Sequence, residues 1–159
     1  MNTETGELSN VARVTQLYPT NPPLAGLPPF DLAELSHRAH CNYERIRDLP
    51  SEAARNYYTR NGYDERRSSA LLDLVKKLLA VSAAWHSMGI PVQLRPPERL
   101  KEFGWQGLVA QTRDYAAIAQ RMSMFIHHTT DPVGLGGDTE VTRAVLLEIF
   151  GPQDMDLWA

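Results

Sequence analysis

One segment constrains this chain more than any other. Leu71, Leu72, Leu74, Val75, Leu78, Leu79, Val81, Trp85 and Met88 lie in a single uninterrupted stretch. At 100° per residue they cover roughly 200° of a helix circumference. Ala80, Ala83 and Ala84 fill part of the remainder and permit close approach by a neighbour. A helix apolar over so wide an arc needs cover from more than one side, so it reads as the centre of a helical bundle. Asp64 opens this element and Gly89 stands where it stops, with Pro91 just beyond. The predicted element is therefore a helix over residues 64–88.

The segments around it read as helices as well. Asp31, with Glu34 three residues on, has capping-box spacing, and Leu32, Leu35, Ala39, Tyr43 and Ile46 share one arc. Pro50 closes that helix. Ser51 is placed to cap a shorter one running to about Arg60 and closed by Asn61 and Gly62. Beyond an extended link at residues 90–95, Pro96 and Pro97 open a short helix ending near Phe103 and Gly104. A long helix is predicted over residues 107–127, with Leu108, Tyr115, Ile118, Ala119, Met122, Phe125 and Ile126 as its stripe. A last helix runs from Asp138 or Thr139 to Phe150, before Gly151 and Pro152. No alternating run suggests a strand. The fold class is all-α: a single bundle of about five to six helices, with an extended Pro-rich N-terminal arm and a short C-terminal tail.

Three regions follow. Residues 1–30 form the arm, 31–151 the bundle, and 152–159 an acidic, aromatic tail. Five prolines between Pro19 and Pro29 exclude helix and central strand and favour an extended, polyproline-like strap. A short helix over residues 9–17 precedes it. The strap is not polar: Leu17, Tyr18, Leu24, Leu27 and Phe30 are side chains that would anchor in a groove, on the chain's own core or on a neighbour. At the other end, Met155, Leu157 and Trp158 follow a helix stop, and Trp is enriched in binding hot spots. A compact body with apolar side chains in both irregular ends suggests an assembly or adaptor subunit whose partners are other protein subunits or further copies of itself.

Composition excludes several classes. The 159 residues suit one domain, and the net charge of −3 rules out a strongly basic, nucleic-acid-coating protein. Charge is uneven, near neutral up to residue 70, +3 over residues 71–130 and −5 over residues 131–159. The single cysteine, Cys41, excludes an internal disulfide. No apolar run approaches the ~20 residues of a membrane span, and no secretory signal is visible. The expected location is the cytoplasm or a viral particle, with no membrane association.

Candidate chemistry is sparse. His37, His40, Cys41 and Glu44 stand at i, i+3, i+4 and i+7, sharing one helix face, and are residue types that ligate Zn²⁺ or iron. That face points away from the Leu35, Ala39 and Ile46 stripe, whereas bundle metal sites project inward. A solvated or subunit-contacting polar face is the competing reading. His127 and His128 suit the end of a helix, where a protonated ring complements the dipole; His86 reads as a core or boundary histidine. Gly134, Gly136 and Gly137 form a connector without the strand and lysine of a phosphate loop. The basic middle offers Arg95, Arg99, Lys101, Arg113 and Arg121, in helices with a helix-turn-helix outline, as a nucleic-acid alternative. Arg66 with Arg67, and Lys76 with Lys77, read as solvated faces. No catalytic pairing can be assigned from the linear order, and no cofactor is expected.

The stretch from Leu71 to Val92, where Trp85 is followed by Gly89, Ile90 and Pro91, resembles the helix ending in Trp-x-x-x-Gly-Ile of head-to-tail adaptor proteins of tailed phages. The resemblance covers 22 of the 159 residues. It implies a small, all-helical protein that rings a portal and grips neighbours with extended ends.

Overall fold

A computed structural model describes residues 30–89, 94–97, 99–100, 104, 106–122 and 139–158. Its helices are α1 (Leu32–Ile46), α2 (Glu52–Arg60), α3 (Glu65–Ser87), α4 (Gln106–Val109), α5 (Thr112–Met122), α6 (Thr139–Phe150) and α7 (Met155–Trp158). Five of these exceed two turns, and no strand occurs among the described residues, so the chain is all-α. None of the described helices is long and apolar enough to cross a membrane.

The local signals work by satisfying backbone groups that helix ends leave free. The Asp31 carboxylate accepts the Glu34 amide at 3.1 Å, and the Asp64 carboxylate accepts the Arg67 amide at 2.8 Å. At the end of α2, Gly62 takes φ +97°. The Gly62 amide donates to the Thr59 carbonyl at 3.3 Å and the Tyr63 amide to the Tyr58 carbonyl at 3.2 Å. These are the paired bonds of a Schellman motif. Ser51 departs from expectation: it occupies the N-cap position of α2 but its side chain caps nothing.

Helix α3 is the centre of the bundle, packed against α1, α2, α6 and α7. Every residue from Leu74 to Trp85 except Lys77 is buried. Two polar bonds pin α1 to α3 across the apolar seam. The Asn42 side-chain amide donates to the Ala80 carbonyl at 3.1 Å, and the Arg38 guanidinium to the Ser87 carbonyl at 3.1 Å.

The long helix predicted over residues 107–127 is broken. Its first turn, α4, packs on α2, while α5 packs on α1, and the chain bends at Ala110 and Gln111 to serve both. A Cβ at Gly107 would sit 2.8 Å from the Tyr57 ring and 3.0 Å from the Tyr58 ring. The buried Tyr58 hydroxyl, donating to the Gly104 carbonyl at 2.7 Å, fixes that approach. Burial holds the Tyr58 phenol well above its usual range, so it stays a donor at any ordinary pH. Gly107→Ala is expected to destabilise the fold by about 1–3 kcal/mol through overpacking. Urea denaturation measures it.

Both ends of the described chain run into the core. Phe30 is 3% exposed, its ring centroid 5.5 Å from that of Trp85. At the C-terminus Gly151, at φ +79°, turns the chain, and the Leu157 and Trp158 amides donate to the Asp154 carbonyl. Leu157 and Trp158 are then buried, with α7 against α3. Phe30, Leu157 and Trp158 were expected among the partner-binding residues. They belong instead to this chain's own core, where the wide face of α3 offers apolar surface to each of them. The backbone of Met155 opens α7, but its side chain lies outside the described residues, as do Leu17, Tyr18, Leu24, Leu27 and the short helix predicted at 9–17.

Candidate functional site

The histidine face of α1 does not gather into one site. His37 Nε2 and Cys41 Sγ lie 3.8 Å apart. His40 turns toward α6, where Nε2–H donates to the Ile149 carbonyl at 2.9 Å and the ring packs against Phe150. Glu44 pairs with Arg47 at 3.0 Å. Among the described residues no group of three His, Cys, Asp or Glu side chains is placed to hold a metal. Helical spacing put the four residues on one face, but only His37 and Cys41 stay together, while His40 and Glu44 turn to other neighbours.

The basic set is also distributed. Arg99 lies over the Tyr63 ring, 5.4 Å from its centroid, so its planar face is occupied within the chain. Arg95, Arg113 and Arg121 are exposed, and Lys101 lies outside the described residues. The break between α4 and α5 divides the helix predicted over residues 107–127, the second element of the helix-turn-helix outline. His86, expected in the core or at its boundary, is exposed. His127, His128, Asp131 and the glycines at 134, 136 and 137 lie outside the described residues.

A site that the sequence reading missed lies where α1 ends and α2 begins. Arg47, Leu49, Pro50, Ser51, Glu52, Arg55, Ser69, Leu72, Asp73 and Lys76 line a half-open pocket of about 300 Å³. Lys76, expected on a solvated face, is 4% exposed. Its ammonium donates to the Arg47 carbonyl at 3.2 Å and the Leu49 carbonyl at 2.7 Å, capping the C-terminal end of α1. A cation there complements the helix dipole. Burial pushes its pKa below the ordinary lysine value, and the carboxylates of Asp73, Asp48 and Asp114 oppose that shift without cancelling it.

The signal for Lys76 was present in the sequence. It stands four residues before Ala80 and seven before Ala83, in the small-residue sector of α3 that invites close approach. The neighbouring Lys77 follows Asp73 at i+4 and pairs with it at 3.0 Å. Asp73 also accepts the Tyr43 hydroxyl, and together with burial this raises the Tyr43 pKa.

The other cations around the pocket are paired. Arg47 is bound to Glu44 at 3.0 Å, Arg55 to Glu52 at 3.3 Å, and Asp73 to Lys77. Arg47 has a second carboxylate in Asp48 at 3.8 Å and Arg55 a second in Glu65 at 3.7 Å. Among the described residues no carboxylate lies within 4 Å of the Lys76 ammonium. Ser51 Oγ and Arg55 Nε are buried and have no hydrogen-bond partner there. The pocket therefore carries a surplus of donors.

No relative places the chain in a family. Comparison with protein-family models, curated proteins and solved structures finds no match. The phage-adaptor resemblance stands on residues 71–92 alone, a segment now seen to be mostly core helix.

Proposed function

We propose that this chain is a non-enzymatic helical assembly or adaptor subunit that binds a protein partner through the apolar segment preceding Phe30. The carrying observation is the contrast between body and segment. Among the described residues Leu147 is the one large apolar side chain that is exposed, at 47%. Leu24 and Leu27 meanwhile stand in a proline-rich stretch that does not support a helix, with Leu17 and Tyr18 immediately before it. Phe30, seated against Trp85, ties that stretch to the body. Proline-rich apolar segments suit protein grooves because little conformational entropy remains to be lost on docking. The resemblance of residues 71–92 to head-to-tail adaptors of tailed phages favours a multi-subunit particle as the setting.

The test is a pull-down from native lysate with the full chain and with a chain beginning at residue 29. A partner held by the full chain is expected to be lost from the shortened one, with unchanged helical circular dichroism and melting temperature. The same partners on both chains would overturn the reading. Replacing Leu17, Tyr18, Leu24 and Leu27 together by serine should reproduce the loss without shortening the chain.

A further inference from the structure

We propose that the pocket between α1 and α2 binds a phosphate group, with Ser51, Arg55 and Lys76 as its donors. The proposal starts from a buried ammonium that no described carboxylate contacts within 4 Å, although Asp73, Asp48 and Asp114 act on it from farther away. Buried charges in folded proteins are normally paired, because an isolated one is expensive to desolvate. Lys76 has three N–H donors; two reach the Arg47 and Leu49 carbonyls. Those carbonyls supply only partial negative charge, and one donor is left over.

Two further groups point to an acceptor. Ser51 is 2% exposed, and its Oγ has no partner among the described residues. It holds the N-cap position of α2 without capping it, so the first-turn amides receive no side-chain oxygen. A helix N-terminus with free amides favours an anion. Arg55, one turn into α2, keeps a buried Nε–H without an acceptor while its terminal nitrogens hold Glu52 and Glu65. Ser51, Arg55 and Lys76 all line one pocket.

The carboxylates in the wall do not forbid an anion. Both oxygens of Asp73 are engaged, by the Tyr43 hydroxyl and by Lys77, and Glu52 is tied to Arg55. Among the described cations of the wall, Arg47 faces Glu44 and Asp48 and Arg55 faces Glu52 and Glu65, whereas Lys76 has no carboxylate within 4 Å. A tetrahedral oxyanion has enough acceptor sites to serve several donors at once, and charge-assisted bonds to it are the strong kind. A volume of about 300 Å³ admits the ion itself or the head of a small phosphorylated molecule.

The experiment is isothermal titration calorimetry of the full chain with inorganic phosphate, against chloride at matched ionic strength. One-to-one binding is expected for phosphate and none for chloride. Ser51→Ala and Arg55→Gln should each weaken it at least fivefold with unchanged circular dichroism, and Lys76→Met should remove it. Lys76 also caps α1, so its variant is read only if it melts cooperatively; Ser51→Ala carries the test otherwise. Glycerol phosphate in a parallel titration separates the sources. Tighter binding than the free ion identifies a phosphorylated small molecule, and weaker binding identifies the ion. Phosphate heats no different from chloride, or wild-type affinity in Ser51→Ala, would overturn the proposal.

Discussion

Trp85→Ala is expected to cost about 3–5 kcal/mol, the range for emptying a large aromatic from a closed core. Trp85 is completely buried, near the end of the central helix, and its ring is the platform for Phe30. Removing it leaves a cavity and also frees the anchor of the N-terminal segment, so chemical denaturation should show both effects. The midpoint should fall sharply, and Phe30→Ala should cost less in the Trp85→Ala background than in the native one. The double-mutant cycle isolates that coupling. Trp85→Phe should be milder, since the indole N–H is buried without an acceptor among the described residues and the phenyl ring leaves no donor behind. A loss below 1 kcal/mol for Trp85→Ala would mean that the end of α3 is not closed as described.

Trp158→Ala is the second large effect, at about 3 kcal/mol. It distinguishes two uses of the tail with the isolated protein alone. A tryptophan that docks onto a partner contributes nothing to the stability of the free chain. One packed beneath α7 against α3, 8% exposed, contributes a large share of a stability that amounts to only 5–15 kcal/mol in typical proteins. A melting temperature unchanged by Trp158→Ala would return the tail to the partner-binding surface. Together with the lysate comparison of full and shortened chains, the result assigns each end of the chain its own role. One end is core, and the other is the proposed partner-binding segment.

The proposed oxyanion pocket and the apolar segment are independent features. The pocket is built from the joint between α1 and α2, with Lys76 of α3 in its wall. The segment enters the body at Phe30, against the other end of α3. Loss of one binding activity by mutation should therefore leave the other intact, which allows the two proposals to be tested in the same protein without confusion.

Much of the helical framework was legible because it depends on groups within four or five residues of one another. Asp31 and Asp64 cap their helices, Gly62 and Gly151 turn the chain at positive φ, and the apolar arc from Leu71 to Trp85 defines the centre. Each is a local matter of satisfying amides and carbonyls, or of placing side chains on one face of a cylinder. The misread elements are those in which residues far apart meet. The long helix over 107–127 has an adequate stripe, yet it breaks because its first turn serves α2 and the rest serves α1.

The candidate site divides along the same line. Sequence spacing brought His37, His40, Cys41 and Glu44 to one face, but His40 is committed to a carbonyl 109 residues away and Glu44 to the nearby Arg47. Lys76 read as solvated because a lysine is solvated unless something distant captures it. Here the captors are carbonyls 27 and 29 residues away. By itself the sequence determined that the chain is helical, where most helices start and stop, and which helix lies at the centre. Only the tertiary structure decided that Phe30, Leu157 and Trp158 are core rather than interface, and that a buried lysine closes one pocket wall. The physical reason is range: capping and periodicity act within a helical turn, whereas the fate of an apolar ring or a lone charge depends on what the rest of the chain brings against it.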